Sequence, residues 1–470
     1  MFFPARPIHF TGIGGIGMSG LALLCRSLGC AVSGSDLRST PLTRRLAAIG
    51  IRVAQGHAAE NVPPEARALV ATSAAGADNP ELVEARRRGL PVATRGELLA
   101  ELMRGSRGIA VAGSHGKTTT TSMLACAALE AGLDPTVYAG TLVPFLDGWN
   151  ARLGGSLFIA ETDESDGSFL ELAPECAVIT NIDREHLDYW KTFDASREAF
   201  LRFANRVSLG GIVALCADDA HARALAAGLR RRAVTYGLSA DARLRVARRE
   251  LDGGGSRFEL VFDGAPLGEF LLRVPGAHNV LNAAACVAIL LHLGVDADRI
   301  RAGLAAYAGT GRRMEEKGSA SGVTVIDDYG HHPAEIRATL AALRLRAPRR
   351  LVVLFQPHRY SRTELLFDEF TGAFGEADAV FITDIYAASE PPREGVTAAA
   401  LAEAIGKAGH AGCRYAGPLD EAVRLVAAEL REGDLLLTLG AGDITAAGPA
   451  VLEMLRETRH VSQETERERR

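Results

Sequence analysis

Gly113-Ser114-His115-Gly116-Lys117-Thr118 ends like a phosphate-binding loop. At such a turn, backbone N–H groups cradle phosphate oxygens, the lysine reaches the β/γ oxygens, and the threonine hydroxyl meets Mg²⁺. The full G-x-x-x-x-G-K-[ST] pattern is not met, because Val111 stands where its first glycine would be. The mechanics survive that departure. Thr118 to Thr121 is a poor helix interior by propensity and makes more sense at a phosphate-facing helix start. A second loop, Gly12-Ile13-Gly14-Gly15-Ile16-Gly17, fits G-x-G-x-x-G. Its glycines let the backbone turn tightly and approach a diphosphate at a helix N-terminus. Asp36 follows the next strand, where an acid can bond a ribose hydroxyl. Taken alone, this loop is the fingerprint of a nicotinamide-dependent oxidoreductase. It specifies a diphosphate and not which nucleotide carries it.

Glu161-Thr162-Asp163-Glu164-Ser165-Asp166 places four carboxylates at the end of an apolar run. Such a cluster repels itself unless a cation is near, and Mg²⁺ needs only one or two carboxylates besides ATP phosphates. A solvated acidic turn is the alternative, and the position downstream of the phosphate loop favours the metal. His186, in Asn181-Ile182-Asp183-Arg184-Glu185-His186, ends another predicted strand and is a candidate for a second metal ion or for orienting phosphate. Two phosphate loops imply ATP plus another phosphorylated compound. An oxidoreductase would leave Lys117, Glu161 and His186 without a role. A non-enzymatic nucleotide-gated module would bind ATP without turnover.

These residues need rigid elements behind them. Pro7–Phe10, Ala31–Gly34 and Leu69–Thr72 read as strands, and Met18–Leu28 and Pro80–Arg88 as helices. Ile109–Ala112 is a strand and Lys117 to about Ala131 a helix, with further strands at Leu157–Glu161 and Ala177–Asn181. Leu244–Val274 alternates between glycine turns, and a helix follows from about Leu281 to Leu293. A third unit has strands at Val323–Asp327, Leu351–Phe355, Ala379–Thr383 and Leu435–Leu439. Strands alternating with helices argue an α/β chain of doubly wound parallel sheets. The expected division is 1–105, 106–313 and 314–457, with a polar, disordered tail over 458–470.

The chain has 470 residues, too many for one ordinary core. Hydrophobic residues make up 47% and charged ones 23%, a globular balance. A formal net charge of −5 offers no global basic field for nucleic acid. Seven cysteines without a Cys-x-x-Cys pair fit a reducing, cytoplasmic setting, most of them as buried small hydrophobes. No apolar run reaches the ~20 residues that span a bilayer, so membrane insertion is not expected.

Taken together, the motifs resemble the Mur ligase family. The carrying residues are Gly113–Thr120, Glu161–Phe169 and Asn181–Asp188, then Pro275–Asn279 with Asn282, and Gly309–Arg313. Asp327-Asp328-Tyr329-Gly330-His331-His332-Pro333 and Gln356-Pro357-His358-Arg359-Tyr360-Ser361-Arg362-Thr363 complete the set. Thr162 and Gly167 stand where alanines are usual, and Ser114 where threonine is. The resemblance implies a three-domain fold: a Rossmann-like N-terminal domain, a central P-loop ATPase domain and a Rossmann-like C-terminal domain. It implies ATP and Mg²⁺ as cofactors, with UDP-N-acetylmuramate and L-alanine as substrates of a ligation through an acyl phosphate. Ser165 and the Q-P-H-R pattern favour L-alanine over the tripeptide used by a recycling sibling. Catalytic roles then fall to Lys117, Glu161, His186, His331 and Arg359, with Thr118, Glu161 and His186 on metal. Gly113, Ser114, His115, Gly116, Lys117, Thr118, Thr119, Asn279, Asn282, Arg313 and Asp328 are expected around ATP. Gly14, Gly15, Ile16, Gly17, Asp36, His57 and Ser73 are expected around the UDP-sugar. Tyr329, His358, Arg359 and Arg362 are expected around the amino acid and the reacting carboxylate. A monomer or weak homodimer is expected.

Overall fold

The computed structural model describes residues 6–468, with side chains through 457. Contacts divide the chain into two compact units. The first is Met1–Arg249 with Phe258–Leu272 and Val280–Ala308; the second is Glu250–Arg257, Arg273–Asn279 and Gly309–Arg470.

The first unit opens with strands β1 (Ile8–Thr11), β2 (Val32–Asp36), β3 (Arg52–Gln55), β4 (Ala68–Ala71) and β5 (Val92–Thr94). They pair in parallel in the order β3-β2-β1-β4-β5. All four residues of β1 are buried, because helices cover both faces of a parallel sheet. The order reverses between β1 and β4, and a sheet of this kind takes ligands at that crevice, beyond the strand C-termini. Gly12–Gly17 sits there, followed by the helix Ile16–Ser27.

A second sheet is built from β6 (Arg107–Ala112), β7 (Thr136–Val143), β8 (Trp149–Arg152), β9 (Leu157–Glu161), β10 (Cys176–Ile179), β11 (Val213–Cys216), β12 (Ala233–Gly237), β13 (Leu244–Asp252), β14 (Gly255–Phe262) and β15 (Ala265–Leu272). Its order is β15-β14-β13-β12-β11-β10-β6-β9-β7-β8. β6 pairs in parallel with β9 on one side and β10 on the other, with Val111 opposite Glu161 and Ala112 opposite Ile179. That register brings the phosphate loop, the acidic segment and the Asn181–His186 segment to one end of the sheet. The helix Lys117–Glu130 is buried nearly all round, which encloses Thr118, Thr120, Thr121 and Ser122. The threonine run lies in the opening turns of that helix, at its start, where its weak interior propensity costs least. Phe169 anchors the far end of the acidic segment, packing on Trp190, Phe200 and Phe203 with ring centroids 5.1–6.2 Å apart. Burying such a ring stabilises by about 2–3 kcal/mol, which ties the segment to the helix Phe193–Ala204.

In the second unit, β16 (Glu315–Ala320), β17 (Val323–Asp328), β18 (Arg350–Phe355), β19 (Ala379–Thr383), β20 (Cys413–Gly417) and β21 (Asp434–Leu439) form a sheet ordered β16-β17-β21-β18-β19-β20. Only β16 runs antiparallel to its neighbour. Asp328 and Phe355 both lie opposite Leu439, so the segments after β17 and β18 flank the end of β21. The last helix extends Ala447–Glu468. Residues 458–468 of the expected polar tail thus fall within this helix, and residues 469–470 lie outside the described residues. Glu, Arg and Gln, which are frequent there, are good helix formers. All seven cysteines are free thiols, six of them buried. Among the described residues, no helix is long and apolar enough to cross a membrane.

Candidate active site

The phosphate loop is held from below by the segment after β10. Asn181 Oδ1 accepts from His115 N at 2.8 Å, and the Thr180 hydroxyl and Asn181 amide donate to His115 O at 2.6 and 3.0 Å. Ser114 Oγ accepts from Asp183 N at 2.8 Å, and His115 Nε2 lies 3.1 Å from Asp183 Oδ2. Gly113, at φ +135°, has no room for a side chain: a Cβ there would fall 2.0 Å from Thr180 Oγ1. Gly116, at φ +79°, caps the helix that begins at Lys117. A Cβ on it would lie 2.9 Å from Asn282 Oδ1, which places Asn282 against the loop.

Lys117 Nζ donates to Gly113 O at 2.6 Å, Ser114 O at 3.2 Å and Glu164 Oε1 at 2.8 Å. Burial opposes the lysine charge, but Glu164, Asp163 and Glu161 outweigh it and hold the ammonium above the usual lysine range. Burial pushes the Glu164 carboxyl up to about 7, Lys117 pulls it down, and Asp163 adds to the rise. Glu161 is bridged instead: Oε1 accepts from the Thr118 hydroxyl at 2.8 Å and Oε2 from Gly140 N at 2.7 Å. Asp163 and Asp166 both accept from Arg95 Nη2, at 2.8 and 3.2 Å. Each of the four carboxylates thus has a partner, with Asp163 and Asp166 sharing Arg95.

His186 holds φ +56°. Its Nε2 lies 3.7 Å from Glu164 Oε1 and 3.6 Å from Glu185 Oε2. Donor atoms of Glu164, Glu185 and His186 lie within 4.8 Å of one another. Glu164 Oε2 is buried without a hydrogen-bond partner, which fits a cation beside it. Thr118 with Glu161 makes one group of donors, and Glu164 with Glu185 and His186 another. Oxygen-rich donors of this kind suit Mg²⁺.

At the glycine loop, Asp36 Oδ2 accepts from Gly14 N at 2.8 Å. One oxygen of the expected ribose acid is thus committed to the loop backbone. His57 Nδ1 lies 2.8 Å from Ser35 Oγ, which donates to Glu81 Oε2 at 2.7 Å. Glu81 is fully buried. Burial alone would raise its carboxyl, yet His9 3.4 Å away and hydrogen bonds from Ser35, Asn61 and Thr11 hold it at about 2. Ser73 lies exposed in the turn after β4, and Gly15, Ile16 and Gly17 lead into the helix.

In the second unit, Tyr329, His331 and His358 gather at the strand ends. The His331 ring is 5.5 Å from Tyr329 and 5.7 Å from His358, and His358 stacks on Tyr386 at 5.6 Å. Arg362 Nη1 donates to His358 O at 3.2 Å. Arg359 holds φ +70°, an unusual conformation for an arginine, with its N–H on Tyr386 O at 2.8 Å. Arg313 sits 5.3 Å from the Tyr329 ring centroid and 3.6 Å from Glu335 Oε1. Asn279 donates from Nδ2 to Pro275 O at 2.8 Å.

Asp328 is buried and accepts from Gly330 N and Met314 N at 2.7 and 2.8 Å. Burial raises its carboxyl to about 6, against the pull of Arg313. Its folded pKa lies above the unfolded value, so its contribution is complete below about pH 4 and is lost as pH rises through about 6. Denaturant titrations spanning those pH values should show the second unit losing about 3 kcal/mol from this group. Asp328→Asn should flatten that slope, and an unchanged slope would remove Asp328 as its source.

Sequence reasoning missed Arg95, Tyr138, Asn181, Asp183, Glu164, Glu185 and Tyr386 as site residues. Of these, Glu164, Asn181, Asp183 and Glu185 lay inside motifs already singled out, and charge clustering there was the available signal. Arg95, Tyr138 and Tyr386 carry no local signal.

Residues 7–107 match the model of the Mur ligase family catalytic domain, 111–290 the Mur ligase middle domain, and 312–442 the Mur ligase glutamate ligase domain. The chain is 54% identical to the UDP-N-acetylmuramate–L-alanine ligase of Solibacter usitatus, covering 97% of each chain. It is 48% identical to the ligase of that name from Geobacter sulfurreducens, covering 98% of this chain and 100% of that one. The crystal structure of the Thermotoga maritima UDP-N-acetylmuramate-alanine ligase superposes with a TM-score of 0.82 at 30% identity, covering 96% of this chain and 99% of that one. A murein peptide ligase from Psychrobacter arcticus gives a TM-score of 0.71 at 25% identity, with the same coverage. With three family models in order and near-complete coverage of these relatives, the chain belongs to the Mur ligase family.

Proposed function

We propose that the chain joins L-alanine to the lactyl carboxylate of UDP-N-acetylmuramate in the cytoplasm, consuming ATP and supplying a peptidoglycan precursor. The observation that carries this reading is the phosphate loop with its buried Lys117–Glu164 pair, on a chain that also has a diphosphate-type glycine loop. The 54% identity to a ligase of that name supports the choice of substrates. We assign the UDP-sugar to residues 1–105, ATP to 106–313 and the amino acid to 314–457, in a monomer or weak homodimer.

The sugar carboxylate attacks the γ-phosphorus of ATP, forming an acyl phosphate and releasing ADP. The amine of L-alanine then attacks the acyl carbon, and phosphate leaves as the amide forms. Phosphoryl transfer of this kind depends on positioning and charge neutralisation more than on covalent help. Lys117 neutralises the γ-phosphate, and the backbone of Gly113–Thr119 cradles the phosphates. Asn279 and Asn282 contact the ATP base. Thr118 with Glu161, and Glu164 with Glu185 and His186, would hold Mg²⁺, which when bound spreads the negative charge of the phosphates. Arg359 and Arg362 grip carboxylate in the forked geometry that lysine cannot reproduce, with Tyr329, His331 and His358 beside them. Gly14–Gly17 takes the diphosphate, and His57 and Ser73 the uridine end.

Mass spectrometry of a reaction holding ATP, Mg²⁺, UDP-N-acetylmuramate and L-alanine tests the reading. The expected product is the sugar nucleotide plus alanine less one water. Tight NAD binding with no adduct from any acceptor would overturn it in favour of the oxidoreductase that the glycine loop alone suggests.

A further inference from the structure

Arg95 opens the helix Arg95–Met103, whose start is fixed by a reciprocal cap: Thr94 Oγ1 accepts from Glu97 N at 3.2 Å, and Glu97 Oε2 from Thr94 N at 2.7 Å. Gly96 lets this start approach the acidic segment closely, since a Cβ there would lie 2.3 Å from Ser168 Cβ. From that fixed base the guanidinium reaches Asp163 and Asp166, and its Nη2 lies 3.5 Å from Ser168 Oγ. The stem of the same side chain backs the glycine loop. A Cβ at Gly17 would fall 2.8 Å from Arg95 Cδ and 2.8 Å from Tyr138 Oη. Tyr138, on β7, donates to Gly17 O at 3.1 Å, and Asn150, on β8, donates to Ile16 O at 2.5 Å. One side chain therefore touches both the last glycine of the diphosphate loop and the segment that carries Glu161 and Glu164.

We infer that Arg95 is a positioning residue, which fixes the spacing between the UDP-sugar loop and the acidic metal-binding segment through Asp163 and Asp166. The inference rests on the proposed ligase reading. The sugar's carboxylate must reach the γ-phosphate in line, and each is held by a different loop. An error of about 1 Å in such an approach costs up to about 10²-fold in rate while leaving each ligand's own binding intact. Arg95 is suited to the task because its planar fork carries charge to two carboxylates while its stem packs against the glycine.

The test measures single-turnover ADP formation with both substrates, and the separate affinities for UDP-N-acetylmuramate and for the Mg²⁺ complex of a non-hydrolysable ATP analogue. Arg95→Met should slow ADP formation by about 10- to 100-fold while both affinities stay within about threefold of wild type. Arg95→Lys should recover part of the rate. It also serves as the informative variant if the methionine form does not fold. Asp163→Asn should cost a similar factor, and the double variant Arg95→Met/Asp163→Asn no more than about twofold beyond the worse single change. Weakened sugar binding that accounts for the whole loss would make Arg95 a direct diphosphate ligand and overturn the inference. Additive losses, or an unchanged rate, would also overturn it. Wild-type protein that binds nucleotide but not the sugar would instead sink the ligase reading beneath it.

Discussion

Lys117→Met should lower the rate of ADP formation by about 10³-fold, the scale seen when a pre-organised charge donor is removed from a developing anion. The loss belongs to chemistry and not to folding. Methionine keeps the unbranched apolar stem, so the helix start retains its packing. The change leaves Glu164 without its cation, but burial already holds that carboxyl at about 7 with the lysine present. Without it the group takes up a proton at neutral pH, so no unpaired buried anion remains. Two carbonyls, Gly113 O and Ser114 O, lose a donor, at a cost of about 1–3 kcal/mol each if water does not replace it. Melting curves beside single-turnover assays check this. A variant that melts as a folded protein and retains more than a tenth of the wild-type rate would show that Lys117 is not the charge that meets the γ-phosphate.

Glu161→Gln is the second large effect. Glutamine is nearly isosteric: its carbonyl can accept from Gly140 N, and its amide can donate to Thr118 Oγ1, which then acts as acceptor. Both hydrogen bonds made by Glu161 have replacements, so the fold should hold while one negative charge disappears. The expected result is a Mg²⁺ requirement raised by about tenfold or more, with kcat at saturating Mg²⁺ down by about 10²-fold. A Mg²⁺ titration of ATP turnover separates the two numbers. An unchanged Mg²⁺ requirement would transfer the metal role to Glu164, Glu185 and His186 alone.

The parts of this molecule legible in the sequence are those whose signal is local. A buried parallel strand followed by glycines and a helix start is written in consecutive residues, and both loops stand where that pattern puts them. The unread parts depend on pairing between distant segments. The antiparallel pair β7–β8 turns through Asp147-Gly148, a local signal left unread, but its targets are distant: it supplies Tyr138 and Asn150 to the glycine loop and Gly140 to Glu161. Within the acidic segment, composition announced a cation but could not allot it. The partners that sort the four carboxylates are Arg95, Lys117 and Thr118, which lie at least 43 residues away in sequence. The resemblance gives His186 a second metal site without naming its companions, and the fold sets it beside Glu164 and Glu185. Glu81 sits in the first turn of the helix Pro80–Arg87, where an acid is commonly exposed. Its burial follows only from the sheet that brings Thr11 and Ser35 to it.

Phosphate release from ATP and Mg²⁺, with the sugar nucleotide and the amino acceptor each omitted in turn, tests the central claim most directly. The account predicts release only when UDP-N-acetylmuramate and L-alanine are both present, and its loss in Lys117→Met. Release that depends on a tripeptide and ignores L-alanine, or no release from folded protein that binds ATP, would contradict it.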